Sequence, residues 1–123
     1  ICNAIGSGTL DELSVVFKNK ATVCKYAVPD GYPNNPIKGE AIDVSSISDP
    51  NSLFFASVDI NDGRLVEAGS RTVATIGIAD SISDAEKIAE KEISRVKGPL
   101  FHRKDIGTTK LIKERIKHMN TLR

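Results

Sequence analysis

Strand, turn and helix periodicities follow one another without interruption between residues 53 and 98. Residues 53–60 alternate apolar with small or polar side chains toward their distal end, Asn61-Asp62-Gly63 supplies residues that tolerate positive φ, and residues 64–68 lead away. That pattern predicts an antiparallel hairpin. Gly69-Ser70 turns the chain again into residues 71–79, where Val73, Thr75 and Gly77 share one face and Thr72, Ala74, Ile76 and Ile78 the other. Apolar groups on both faces predict a central strand. A helix follows: Ser83 stands three residues before Glu86 as a capping box, Ala85, Ile88, Ala89, Ile93 and Val96 recur at helical spacing, and Gly98-Pro99 ends the run. The alanines on its apolar stripe allow it to sit close to a sheet.

Outside this unit the pattern is more broken. Residues 10–17 predict a short helix that buries Leu10, Leu13, Val16 and Phe17, capped by Thr9 with Glu12 three residues on. Residues 21–29 predict a strand that stops at Pro29-Asp30-Gly31. The loop 31–39 holds two prolines and two glycines, so it cannot donate a regular ladder, and its stiffness suits it to present Tyr32 and Lys38. Residues 40–44 predict a short strand and 45–52 a polar turn. Phe101 anchors a brief segment in which His102, Arg103, Lys104 and Asp105 form an unbroken polar row, which must face water or line a polar site. From Thr108 onward Leu111, Ile112, Ile116 and Met119 mark an amphipathic helix whose other face carries Lys110, Lys113, Lys117 and His118. These elements predict an α+β fold, a curved antiparallel sheet with flanking helices. Residues 1–20 are expected to form a connector and short helix, and residues 21–123 a single domain.

A chain of 123 residues suits one domain that buries roughly two-thirds of its unfolded surface, enough for a core without staples. Its 17 Lys+Arg against 16 Asp+Glu are unevenly placed: residues 95–123 hold nine basic and two acidic residues. Such a section either meets an anion or forms a solvated helix face. Cys2 and Cys24 have no metal-ligand spacing, and Cys24, inside an apolar run, reads as a small core residue. There is no signal-peptide pattern and no apolar run near the ~20 residues a membrane span needs, so a cytoplasmic location without membrane contact is expected. Beginning at Ile1 rather than methionine suggests a piece of a longer chain.

No complete catalytic set is visible. His102 and His118 lack a serine or cysteine partner at recognisable spacing, and the acidic pairs Asp11-Glu12 and Asp84-Glu86 sit at predicted helix starts, where capping explains them. Gly6 and Gly8 lack the preceding strand and the third glycine of a phosphate-cradling loop, and read as a connector. Anion-binding candidates remain: Arg71 at the opening of the central strand, Lys38 on the stiff loop, and Arg103-Lys104. Specific nucleic-acid binding is not expected, because the few aromatics do not alternate with basic residues. Composition alone equally allows a Tyr32 packed under its own loop and a solvated Lys38.

Gly31-Tyr32-Pro33 with Lys38-Gly39, then the strand containing Arg71, then Arg103-Lys104-Asp105-Ile106-Gly107 resemble, in this order and separation, the C-terminal part of the phosphoribosylamine–glycine ligase (glycinamide ribonucleotide synthetase) family. The resemblance runs from about Leu10 to Gly107, with Asn34-Asn35-Pro36 where many members have Gly-Ser-Tyr. It implies an ATP-grasp ligase of purine biosynthesis, in which ATP converts glycine to an acyl phosphate that the amine of phosphoribosylamine attacks. It further implies that ATP and magnesium (or manganese) bind an N-terminal ATP-grasp portion of the same chain. This piece alone would then be inactive, with no metal ligands and no catalytic residue of its own. By analogy with related purine enzymes Arg71 would meet the substrate phosphate, Tyr32 and Lys38 would form a loop wall, and Arg103 and Asp105 would complete the substrate-binding set. The rival reading is a free-standing small-anion-binding or regulatory module.

Overall fold

Two long strands form the spine of the computed structural model, which describes residues 1–122. The elements in chain order are α1 (Cys2–Ser7), β1 (Ala21–Pro29), β2 (Leu53–Phe55), β3 (Val58–Asn61), β4 (Arg64–Glu67), β5 (Val73–Ala79), α2 (Ile82–Ile93), β6 (Leu100–His102) and α3 (Thr109–Thr121). Four of the strands make an antiparallel sheet in the order β2-β5-β1-β6, while β3 and β4 form a separate two-stranded ribbon. The architecture is the α+β arrangement of antiparallel sheets and helices that the pattern predicts.

β5 is central, between β2 and β1, and its two faces divide as period two requires. Val73, Thr75 and Gly77 are buried beneath α2, whereas Ile78 on the opposite face is exposed. Ala85 and Ala89 of α2 are fully buried, and the Thr75 hydroxyl donates to the Ala89 carbonyl at 2.9 Å. Such close approach is possible because Gly77 has no side chain: a Cβ there would stand 1.9 Å from the Ala85 carbonyl oxygen. Two apolar clusters result, one of Ala27, Ile42, Val73 and Ile93, the other of Val23, Ala85 and Ala89.

α2 begins two residues before the expected cap. Ser81, not Ser83, accepts the Asp84 amide at 3.1 Å, and its hydroxyl donates to the Asp84 carboxylate at 2.8 Å. Both serines precede an acidic residue by three, but Ser81 still has extended backbone, as an N-cap needs, and lies at the exit of β5. The helix also ends at Ile93 rather than at Gly98, because Lys97 is already engaged in an antiparallel bridge with Asp43. Residues 40–44 make only two isolated bridges, Ala41 with Val66 and Asp43 with Lys97. With different partners on successive pairs no ladder can propagate, so the expected strand is absent even though Ile42 is a core residue.

The predicted hairpin is present as β3 and β4, but residues 53–60 are not one strand. Ala56 and Ser57 donate their amides to the Thr72 and Arg71 carbonyls at 3.0 and 2.8 Å, and this break sends β2 to the edge of β5 and β3 into the ribbon. Asp62 and Gly63 turn the hairpin with φ of 48° and 72°. A Cβ on Gly63 would meet nothing within 4 Å, so only backbone strain opposes a substitution. Gly63→Val is therefore expected to destabilise the chain by about 1 kcal/mol, read as a lowered thermal midpoint. An unchanged midpoint would show that the turn does not need the left-handed conformation.

The expected helix over 10–17 does not form. Only Leu10–Glu12 make a 3₁₀ turn, Thr9 caps nothing with its side chain, and Val16 and Phe17 are 86% and 85% exposed. A helix of this length is not stable without a surface to pack on, and no described element covers these residues. α1, which the pattern did not predict, likewise buries no residue. α3 starts at the expected place, with Thr108 as its N-cap, and Leu111 and Ile112 on its apolar stripe are half-buried.

Candidate functional site

Alternation along β1 sends Val23, Lys25 and Ala27 toward α2 and Cys24, Tyr26 and Val28 to the opposite face. On that second face a cleft of about 520 Å³ opens between the sheet, the loop after β1 and the segment after β6. Tyr26, Tyr32, Arg71, Phe101 and Arg103 line it together with Cys24. Cys24 is thus not the core residue its apolar neighbours suggested. It is exposed at the floor of the cleft, because a one-residue offset along a strand reverses the face. Desolvation pushes its thiol up from the usual range, away from the thiolate a nucleophile needs.

Arg71 is exposed and lies two residues before β5, beside the fully buried Thr72, its backbone carbonyl held by Ser57. Its guanidinium carbon stands 5.7 Å from the centroid of the Tyr26 ring, close enough for a cation–π contact that orients the group over the cleft. Among the described residues no carboxylate pairs with it. Tyr32 reaches the cleft from a loop closed by the Ile37 amide on the Asp30 carbonyl at 3.0 Å, with a cis Tyr32-Pro33 peptide. Gly31 is needed there: its φ is 81°, and a Cβ would stand 2.1 Å from the Asn35 carbonyl. Arg103 is held by Asp105, whose carboxylate accepts from Nε at 3.0 Å and from Nη2 at 2.5 Å. The hydrogen bonds to Arg103 keep the Asp105 carboxyl below the usual range, and the same pair pushes the Arg103 guanidinium up.

Four of the five residues singled out in the sequence therefore meet: Tyr32, Arg71 and Arg103 line one cleft, and Asp105 braces Arg103. Lys38 does not join them. Its stem crosses Gly69, and it lines a separate groove with Gly39, Asp59 and Glu67. Sequence reasoning missed Tyr26 and Phe101 as cleft walls, although Tyr26 could have been placed from the period of β1 once Val23 was assigned inward.

It also missed Lys25, which is 1% exposed on the α2 side of the sheet. Its ammonium donates to Glu86 at 2.7 Å, to Glu90 at 2.6 Å and to the Lys104 carbonyl at 2.9 Å. Glu90 in turn lies 3.0 Å from His102 Nε2. Burial lowers the Lys25 pKa, but the hydrogen bonds it donates to Glu86 and Glu90 outweigh it and the net direction is up. At Glu90 burial acts upward, the bonds to Lys25 and His102 act downward and win, and the carboxyl is held below its usual value. Glu86, expected at a helix start, is thus a partner of Lys25. The only sequence signal was a lone lysine inside an apolar strand. Among the described residues no group of three or more His, Cys, Asp and Glu side chains converges as a metal ligand set, and no helix is long and apolar enough to cross a membrane.

The fold is that of a small antiparallel α+β domain; residues 22–109 match the family described as "Phosphoribosylglycinamide synthetase, C domain", and the chain belongs to it. Similar proteins are phosphoribosylamine–glycine ligases. That of Methanocaldococcus jannaschii is 48% identical over all of this chain and that of Methanosarcina barkeri 50% identical over all of it. The chain spans 28% of the length of each. The crystal structure of phosphoribosylamine–glycine ligase from Thermotoga maritima is similar with a TM-score of 0.59 and 29% identity, over 66% of this chain and 20% of that one.

Proposed function

We propose that the chain acts as the C domain of a phosphoribosylamine–glycine ligase of purine biosynthesis and contributes the cleft that receives phosphoribosylamine. The observation that carries this reading is the Arg71 guanidinium held over Tyr26 at the mouth of a cleft that also receives Tyr32 and Arg103. A phosphorylated sugar presents a dianionic end and a ring. An arginine without a carboxylate partner suits the first, and aromatic walls suit the second. Arg103, already neutralised by Asp105, serves as a directional donor at the rim, while Lys38 stands outside the cleft and is not part of this set. On this reading ATP, its magnesium or manganese ion and glycine would be bound by an N-terminal ATP-grasp portion of the ligase. The described residues here offer no ligand set that fits the metal, so no step of the chemistry is assigned to them. In the ligase the amine of phosphoribosylamine attacks the activated carboxyl of glycine, and the cleft's part is to hold the distant phosphate and ribose while that occurs.

Because the phosphate does not react, its contact contributes equally to ground and transition states, and losing it acts on affinity. In a ligase carrying this domain, Arg71→Ala is expected to raise KM for phosphoribosylamine roughly tenfold, the equivalent of about 1.4 kcal/mol, while KM for ATP and glycine stays at wild type. A variant that melts lower yet keeps its phosphoribosylamine KM would assign Arg71 to the sheet edge and end this reading.

A further inference from the structure

The segment that brings Arg103 to the cleft is not part of the sheet. β6 ends at His102, and residues 103–107 form a turn along the part of β1 that β6 does not pair. Inside that turn Arg103 bonds to Asp105, and Thr108 donates to the Asp105 carbonyl from both its amide, at 3.1 Å, and its hydroxyl, at 2.8 Å. These contacts shape the turn but do not attach it to the body of the domain. Among the described residues, one side-chain hydrogen bond ties residues 103–107 to the sheet, from the Lys25 ammonium to the Lys104 carbonyl. Gly107 adds a steric fit, since a Cβ there would stand 2.7 Å from Val23.

Lys25 is an unusual residue for that role. Burying an ammonium is costly unless it is paired and hydrogen-bonded, and an apolar side chain in the same place would pack with Val23 and Ala89 at no such cost. Here all three donors of the ammonium are used, two on carboxylates of α2 and the third on the backbone of the turn. The two carboxylates fix the head group, and its remaining N–H then points at a carbonyl next to Arg103.

We propose that Lys25 is a positioning residue for the cleft: from the opposite face of the sheet it holds the Lys104 carbonyl, and so sets where the Arg103–Asp105 pair stands against the substrate. This rests on the reading of the cleft as the phosphoribosylamine site. Lys25→Met removes the ammonium while keeping an apolar stem, but strands Glu86, whose partner in the structure is Lys25, whereas Glu90 keeps His102. The informative variant is therefore Lys25→Met/Glu86→Gln, which removes that stranded charge and restores the fold without restoring the bond to Lys104.

In a ligase carrying this domain, the double variant should melt close to wild type. Amide hydrogen exchange at Thr108, whose N–H the Asp105 carbonyl holds within the turn, should nevertheless rise tenfold or more while β1 and β5 stay protected, and KM for phosphoribosylamine should rise about threefold to tenfold with KM for ATP and glycine unchanged. Arg71→Ala, measured alongside, separates the two readings. If it raises KM while the double variant leaves exchange or KM at wild type, Lys25 only fills space and the proposal fails alone. If Arg71→Ala leaves KM unchanged, the cleft is not the phosphoribosylamine site and the proposal falls with it.

Discussion

Replacing Gly77 by alanine is expected to destabilise the chain by about 3 kcal/mol or more and to lower its thermal midpoint by roughly 10 °C. The added methyl would stand 1.9 Å from the Ala85 carbonyl oxygen and 2.8 Å from the Ala89 amide nitrogen, both backbone atoms of α2. No rotamer change can relieve contacts with backbone, so the helix must lift from the sheet. Lifting it opens the packing of Ala85 and Ala89 and stretches the bond from Thr75 to the Ala89 carbonyl, which leaves a buried hydroxyl and carbonyl short of a partner. A melt followed by circular dichroism reads the effect. An alanine variant with the wild-type midpoint would mean that α2 rides higher on β5 than these distances state. The contrast with Gly63 is instructive, because the loss there comes from backbone conformation alone and should be several times smaller.

The second large effect is expected at Lys25, and its size depends on pH. At pH 7 Lys25→Met should cost about 2–4 kcal/mol, somewhat less than a fully buried pair because Glu86 and Glu90 keep part of their hydration. In the wild type the Glu90 carboxyl is held below its unfolded value near 4.3. Its contribution is therefore present above about pH 4.3 and is lost as the pH falls through the lower folded value. Lys25 is held above its unfolded value near 10.4, so its contribution is complete below about pH 10.4 and is lost as the pH rises through the higher folded value. The wild type should show a plateau between these limits that falls away on both sides. In Lys25→Met, Glu90 loses the hydrogen bond and charge of the ammonium and keeps those of His102, so its carboxyl is held down less strongly while burial still acts upward. That variant should therefore lose less stability than the wild type as the pH falls below about 4.3. Urea midpoints across the pH range test this, and parallel curves for the two proteins would refute the coupling.

Legibility of the chain followed the range of the interactions concerned. The strand over residues 21–29, the central strand from Val73, the Asp62-Gly63 turn and the Thr108-capped helix are each specified within a few residues, by alternation, positive φ or a cap, and each is present. Where two local solutions competed the sequence was ambiguous. Ser81 and Ser83 offer equivalent capping patterns, and only the exit of β5 selects the first. The helix expected over 10–17 had its periodicity and its cap but no surface to pack against, and periodicity without a partner does not pay the entropy of ordering. For the candidate site, charge and position along the chain pointed to Arg71, Arg103 and Lys38, the stiff loop to Tyr32 and the family resemblance to Asp105; the fold brings all of these but Lys38 to one place. Lys38 was misplaced because nothing within its own loop states on which side of Gly69 the stem will run.

By itself, then, the sequence determined the identity of most strands and helices, the central position of β5, the stripe of Ala85 and Ala89 that faces it, and the motifs that mark the synthetase family. Only the tertiary structure decided that residues 53–60 divide between two sheets, that a cleft lies over the face of β1 carrying Cys24 and Tyr26, and that Lys25 joins Glu86, Glu90 and the Lys104 carbonyl across sixty-one to seventy-nine residues of chain. The physical reason is that backbone preferences are set by neighbours and can be read along the chain. The partner of a buried charge is set by which strand edge another segment happens to cover, and that follows from the packing of the whole domain.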